Sequence, residues 1–174
     1  MGHIWHGIEP SSHPLLFGKL GGNWHLGALG ILKILIKSWK DAEKDAFLVR
    51  QEVFILEQKV PAELELDEFD YSAAHALAHL NGHCIGTGRL VDLGNRQAQI
   101  GRMAVLAPFR NQGVGRQILE SLVLLARSQG AESIVLHSQV NAIPFYKKLG
   151  FQAQGHTYDE AGIAHRNMIL LLPN

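Results

Sequence analysis

A single cysteine, Cys84, in 174 residues leaves no intrachain disulfide and no zinc site built on several cysteines. Net charge is also missing, since sixteen Lys and Arg balance sixteen Asp and Glu. That argues against the broad basic footprint of a nucleic-acid binder and leaves room only for a local patch. Charged residues are 18% of the chain and apolar ones 47%, a globular rather than a disordered balance. The longest apolar run, Leu26 to Ile36, is broken by Lys33 and is too short to cross a bilayer. The first residues lack a basic cluster and no small-residue cleavage site follows that run, so a secretory signal is not expected. No internal repeat, heptad or low-complexity tract is visible. What these absences leave is one globular domain, expected in the cytoplasm, with neither membrane nor nucleic acid as partner. Cys84 lies in a strand-like run and reads as a small buried apolar residue.

What is present divides at about residue 30. Residues 1–29 are rich in Gly and His and read as an extension, loosely attached or packing as an arm. His3, His6, His13 and His25 are spaced by three, seven and twelve, which matches no helical or knuckle ligand pattern, so no metal is expected. The domain proper spans 30–174. Gly30 to Lys37 is β-branched enough for a first strand. Ala42, Ala46, Val49, Val53 and Leu56 then recur at helical spacing, with Asp41 as candidate cap. The acidic stretch Glu63 to Asp70 reads as a surface loop.

Three strands follow as an antiparallel meander: Ala73 to Leu80, His83 to Val91 and Gln97 to Leu106. Asn81-Gly82 is a type I′ turn signal between the first two. Gly86 and Gly88 mark places where backbone or ligand comes close. Val114, Ile118, Leu122, Leu125 and Ala126 share one face of a helix that stops at Gly130. Ser133 to His137 is a buried strand, and Asn141 to Leu149 a short helix interrupted at Pro144. Phe151 to Tyr158 and His165 to Leu172 close the chain. The order β-α-β-β-β-α-β-α-β-β predicts an α/β fold, α+β in some schemes, around a mixed sheet.

Arg110-Asn111-Gln112-Gly113-Val114-Gly115-Arg116 stands between a strand and a helix start. Backbone N–H groups there converge on one point and the helix dipole adds positive potential, so the loop is suited to an anion, most often phosphate. It lacks the Gly-Lys-(Ser/Thr) ending of a nucleotide-hydrolase loop. About thirty residues on stands Phe145-Tyr146-x-x-Leu149-Gly150-Phe151.

The loop, as Arg-x-x-Gly-x-Gly, and this second run together resemble the GNAT superfamily of acyl-CoA-dependent N-acyltransferases, over roughly residues 30–172. Glu52-Val53-Phe54-x-x-Glu57-Gln58 and Glu160-Ala161-Gly162-Ile163-Ala164-His165 are similar to its ElaA-like bacterial subgroup, which usually carries Pro at the position of Ala164. The resemblance implies a mostly antiparallel sheet flanked by helices and splayed at its two central parallel strands. It implies acetyl-CoA as co-substrate, a primary amine as acceptor and no metal. The loop N–H groups from Gln112 to Arg116 would meet the pyrophosphate, with Asn111 also a cofactor-binding candidate and glycine at 113 and 115 keeping Cβ atoms away from it. Arg110 and Arg116 are candidates for a charge-assisted contact, or else solvated surface residues. The backbone of Met103, Ala104 and Val105 would take the pantetheine like an added strand, with an N–H near Val105 on the thioester oxygen.

Tyr146 stands where the family's tyrosine reaches the sulfur, so it is the candidate general acid; the alternative is a core aromatic. Asn141 would anchor a carbonyl, or cap a helix. Glu52, Glu57, His79, His137 and His165 are candidate bases, none preferred. The acidic residues of 56–71 and 159–165 hint at a cationic amine. The expected activity is N-acetyl transfer by direct attack in a ternary complex; the alternative is a GNAT-fold module that binds acyl-CoA without turnover. A homodimer through exposed edge strands stays open.

Overall fold

The computed structural model describes residues 30–173, so the expected N-terminal arm and its four histidines lie outside the described residues. The elements are β1 (Lys33–Ser38), α1 (Trp39–Arg50), β2 (Ala74–Leu80), β3 (His83–Gly94), β4 (Gln97–Val105), α2 (Val114–Ser128), β5 (Ser133–Gln139), α3 (Ile143–Lys147), β6 (Gln152–Glu160) and β7 (Ile163–Leu171). This is the expected alternation. One open sheet has the order β1-β2-β3-β4-β5-β7-β6. All its pairs are antiparallel except β4 with β5.

The hairpin turns form where the sequence places them, with Asn81 and Gly82 both at positive φ as a type I′ turn requires. The face of α2 is also as the periodicity predicts, with two changes. Val114, Ile118, Leu122 and Ala126 are buried, Leu119 joins them, and Leu125 is only half-buried. This helix lies close on β3. A Cβ at Gly88 would come within 2.6 Å of Met103 Sδ and 2.8 Å of Ile118 Cγ2. Gly88 therefore admits the helix, not a ligand. Ile85, Ile100, Ile134, Leu136 and Met168 from the sheet complete the main core beneath it.

On the other face, α1 begins earlier than expected. Ser38 holds the N-cap position without a side-chain cap, and Asp41 stands in the first turn, where its charge favours the dipole. Past Arg50 the winding widens into a π segment, Gln51–Glu57, that carries the chain toward the open part of the sheet. Pro144 opens α3 rather than interrupting it, since the first helical turn needs no N–H there. Cys84 is half-buried between α1 and the sheet, where burial pushes its thiol up to about 12. Among the described residues no helix is long and apolar enough to cross a membrane.

Candidate active site

The parallel pair sets the site. β4 and β5 pair only over Gln97, Ala98 and Gln99 with Ser133, Ile134 and Val135, yet β4 runs on to Val105 and β5 to Gln139. Past Gln99 the two strands part, and their facing edges have no ladder partner in each other. A cleft of about 1220 Å³ opens at the parting. Met103, Ala104 and Val105 lie along its wall. β4 also bulges there: Arg102 has φ 50° and the pairing with β3 shifts between Thr87 and Arg89.

One end of the cleft is the start of α2. Gly113 is its N-cap, left-handed at φ 80° and with no side-chain cap, and its first turn holds no acidic residue. The helix therefore begins with N–H groups that no cap takes and a dipole that no carboxylate offsets. A Cβ added at Gly113 would meet nothing within 4 Å, and one at Gly115 would touch only Val105 Cγ2 at 3.6 Å and Phe145 Cζ at 3.7 Å. Protein crowding does not demand glycine at either position. The left-handed backbone demands it at Gly113, and both glycines keep clear a space that an anion fits.

Arg110, Asn111, Val114 and Arg116 also line the cleft, while Gln112 does not; its amide donates to the Pro108 carbonyl at 2.8 Å. Arg110 is not a free solvated arginine. Its Nε donates to the Val105 carbonyl at 2.8 Å, and its two terminal nitrogens fork onto Glu57 at 2.8 and 2.6 Å. Arg116 reaches solvent and pairs with Glu120 at 2.7 Å.

Tyr146 is buried at 8% exposure and lines the cleft. Its ring packs edge-on to Phe145 and Phe151, at 4.9 and 5.9 Å between centroids. It is a core aromatic on one side, yet none of the hydrogen bonds among the described residues takes its hydroxyl. Burial raises that hydroxyl to about 12, so it stays protonated. Asn141 lines the cleft and is exposed; it caps neither short helix, because the cap positions are Gln139 and Ala142. The capping alternative for Asn141 is therefore wrong.

The candidate bases separate sharply. His79 bonds Asp45 at 3.0 Å and Glu52 is half-buried, and neither is on the cleft wall. Glu57 is taken by Arg110, whose hydrogen bonds lower its carboxyl despite some burial. His137 and His165 both line the cleft. His137 is exposed and bonds Glu160 at 3.3 Å, whereas His165 is buried, with Nδ1 2.8 Å from the Ile163 carbonyl.

The acidic stretch 63–70 is not a plain surface loop. Glu65 and Asp70 are buried, and with Asp67 they form a network with Arg50, Arg89 and Arg102. Asp70 meets Arg50 Nη1 at 2.8 Å and Arg89 at 2.9 Å; Asp67 meets Arg89 Nη2 at 2.9 Å and Arg102 at 2.9 Å. Glu65 accepts from Arg50 Nε and its own carbonyl takes Arg50 Nη2 at 2.7 Å. Three carboxylates thus face three guanidiniums, so their charge is not available to attract a cationic amine. Burying so many ionic groups is tolerable only because each is paired. The network escapes a reading of the sequence, whose one clue is an arginine, Arg89, inside an otherwise buried strand. A last link, Gln139 Nε2 to Gln58 Oε1 at 2.8 Å, bridges β5 and the turn after the π segment. Among the described residues no three His, Cys, Asp or Glu gather as a metal site would require.

The cleft thus lies between parted parallel strands, closed at one end by an uncapped helix start and walled by a buried tyrosine. An acetyltransferase (GNAT) domain model matches residues 39–172, and the chain belongs to that family. It is 36% identical over 139 residues to YjcF, an uncharacterized N-acetyltransferase of Bacillus subtilis, covering 79% of this chain and 99% of that one. An acyl-CoA N-acyltransferase from Pseudomonas aeruginosa superposes with a TM-score of 0.72 at 28% identity, covering 80% of this chain and 99% of that one. Escherichia coli ElaA shares the fold, with a TM-score of 0.72 at 21% identity and coverage of 80% and 99%.

Proposed function

We propose that the protein transfers the acetyl group of acetyl-CoA to a primary amine by direct attack in a ternary complex. The observation that carries this is the continuity of one cleft, from the uncapped start of α2, along the unpaired edge of β4, to Tyr146. A pyrophosphate fits the first, an extended amide-bearing arm the second, and a thioester the third. The N–H groups from Asn111 to Arg116 are the proposed pyrophosphate ligands, and Arg110 and Arg116 border them. The backbone of Met103, Ala104 and Val105 takes the pantetheine, and Asn141 anchors a carbonyl from the opposite wall.

Attack of the amine on the carbonyl carbon builds negative charge on the oxygen, which the N–H near Val105 offsets. Collapse breaks the C–S bond and leaves a thiolate. Tyr146 is the group proposed to meet it. Its hydroxyl, at about 12, is a weaker acid than a thiol at about 8.5, so full transfer in a water-like setting would be uphill. Hydrogen-bond donation is the larger part of its role, with transfer completed as the thiolate leaves its own solvation behind. The cytoplasm is the proposed compartment, from a composition without paired cysteines.

The test is thiol release from acetyl-CoA with a panel of primary amines, run beside calorimetric binding of acetyl-CoA. Turnover with at least one amine is expected. Tight binding with no turnover across the panel would replace this reading with that of a non-catalytic acyl-CoA module.

A further inference from the structure

We propose that His165 is the general base of the reaction, taking the proton of the acceptor ammonium on Nε2; this rests on the acyltransferase reading above. Nδ1 lies 2.8 Å from the Ile163 carbonyl. A carbonyl only accepts, so Nδ1 carries the hydrogen and the neutral ring has its lone pair on Nε2. The ring is held in place. It is 9% exposed and stacks on Tyr158 with 6.2 Å between centroids and 26° between planes. In register, His165 stands opposite Gln139 on β5, two residues before Asn141. It thus borders the cleft near the Gln58–Gln139 bridge, away from the start of α2.

The carboxylates on the cleft wall are each in an ion pair. Glu65 and Asp67 belong to arginine pairs, and Glu160 and His137 bond each other. The titratable groups on the strands beside His165 are His156, Tyr158, Asp159 and Glu160 on β6 and His137 on β5, and His156 is exposed. Tyr158 gives its hydroxyl to Asn167 at 2.7 Å, and Asp159 accepts from the Gly162 N–H at 3.0 Å. His137 also keeps a lone pair on Nε2, because its Nδ1 meets a carboxylate, but it and Glu160 are exposed; His165 is the buried, ring-stacked base on the cleft wall. The protons balance as follows. The ammonium gives one proton to Nε2, the neutral amine forms the C–N bond, and the C–S bond breaks. The nitrogen then sheds its second proton, which the departing sulfur takes up through Tyr146. Imidazolium returns its own proton to water, so one proton is released per turnover.

The experiment measures kcat/KM against pH for the wild type, H165Q and E160Q, with phenethylamine, cadaverine, spermidine and Nα-acetyl-lysine amide as acceptors. At pH 7, H165Q is expected to lose on the order of 100-fold while acetyl-CoA affinity stays within about threefold. The wild type should level off well below an amine pKa of about 10.4, whereas H165Q should climb roughly tenfold per pH unit toward it, because only pre-formed free amine can react. The gap therefore narrows with rising pH, which a merely structural loss would not do. A parallel loss at every pH, or the altered profile in E160Q instead, overturns His165 as the base and leaves the acyltransferase standing. A wild type that acetylates none of the four amines overturns both.

Discussion

Arg110 places both terminal nitrogens of its guanidinium on the carboxylate of Glu57, at 2.8 and 2.6 Å, and its Nε on the Val105 carbonyl. The arginine of the phosphate loop thereby fastens the end of the π segment to the end of β4. Glu57 also neutralises a cation beside the proposed pyrophosphate site. E57Q is expected to tighten acetyl-CoA binding about two- to fivefold, the worth of one exposed ion pair, with the gain shrinking at high salt. Calorimetry at two salt concentrations checks it. Unchanged or weaker binding would mean that Arg110 serves the architecture alone.

Gly113→Val should weaken acetyl-CoA binding at least tenfold, because a side chain in the left-handed N-cap would enter the open space proposed for the phosphate. A branched residue at φ 80° should also cost about 1–3 kcal/mol of stability, and circular dichroism should show the fold retained. Unaltered affinity in a folded variant would remove the loop from the binding site.

Tyr146→Phe keeps the ring contacts with Phe145 and Phe151 and removes the hydroxyl. Turnover should fall by roughly 10- to 100-fold with acetyl-CoA affinity within about threefold. Since burial holds the hydroxyl near 12, no loss of wild-type activity below about pH 11 should trace to its ionisation. Equal losses in turnover and affinity would make Tyr146 a packing residue.

Burial pushes the Asp70 carboxyl up, but the guanidiniums of Arg50 and Arg89 outweigh it and hold it at about 2, against 3.8 for a free aspartate. A carboxyl lowered on folding adds stability above its unfolded value, and that stability fades as pH falls through the folded value. The contribution is about 2 kcal/mol at neutral pH, lost between about pH 4 and pH 2. D70N should cost about 3–5 kcal/mol at pH 7, because it leaves two buried cations short of a partner. Urea denaturation at pH 7 and pH 3 should show the difference between variant and wild type narrowing at the lower pH.

Local signals read well and distant ones do not. The faces of α1 and α2 follow from spacings of three and four, except at Leu56, which lies exposed in the π segment, and the Asn81-Gly82 turn follows from residues that tolerate positive φ. Those preferences act within a few bonds. The start of α1 at Trp39, the π segment and Pro144 at the opening of α3 lie a few residues from where local pattern puts them, because propensities there are nearly balanced. The stretch 63–70 differs in kind, a buried ionic network where local pattern indicates a surface loop. Its acids pair with arginines 15 to 35 positions away, and no local pattern records such a partner.

The sequence by itself determined the order of elements and the loop from Arg110 to Arg116, because hydrophobic period, glycine and turn chemistry act over short range. It also brought Tyr146 into view through a second run at a fixed distance along the chain. Only the tertiary structure decided that β4 and β5 part after Gln99, that Glu57 holds Arg110, and that Asp67 and Asp70 meet Arg89. Each of those depends on how groups far apart in the chain come to lie against one another, where a carboxylate can fix a charge.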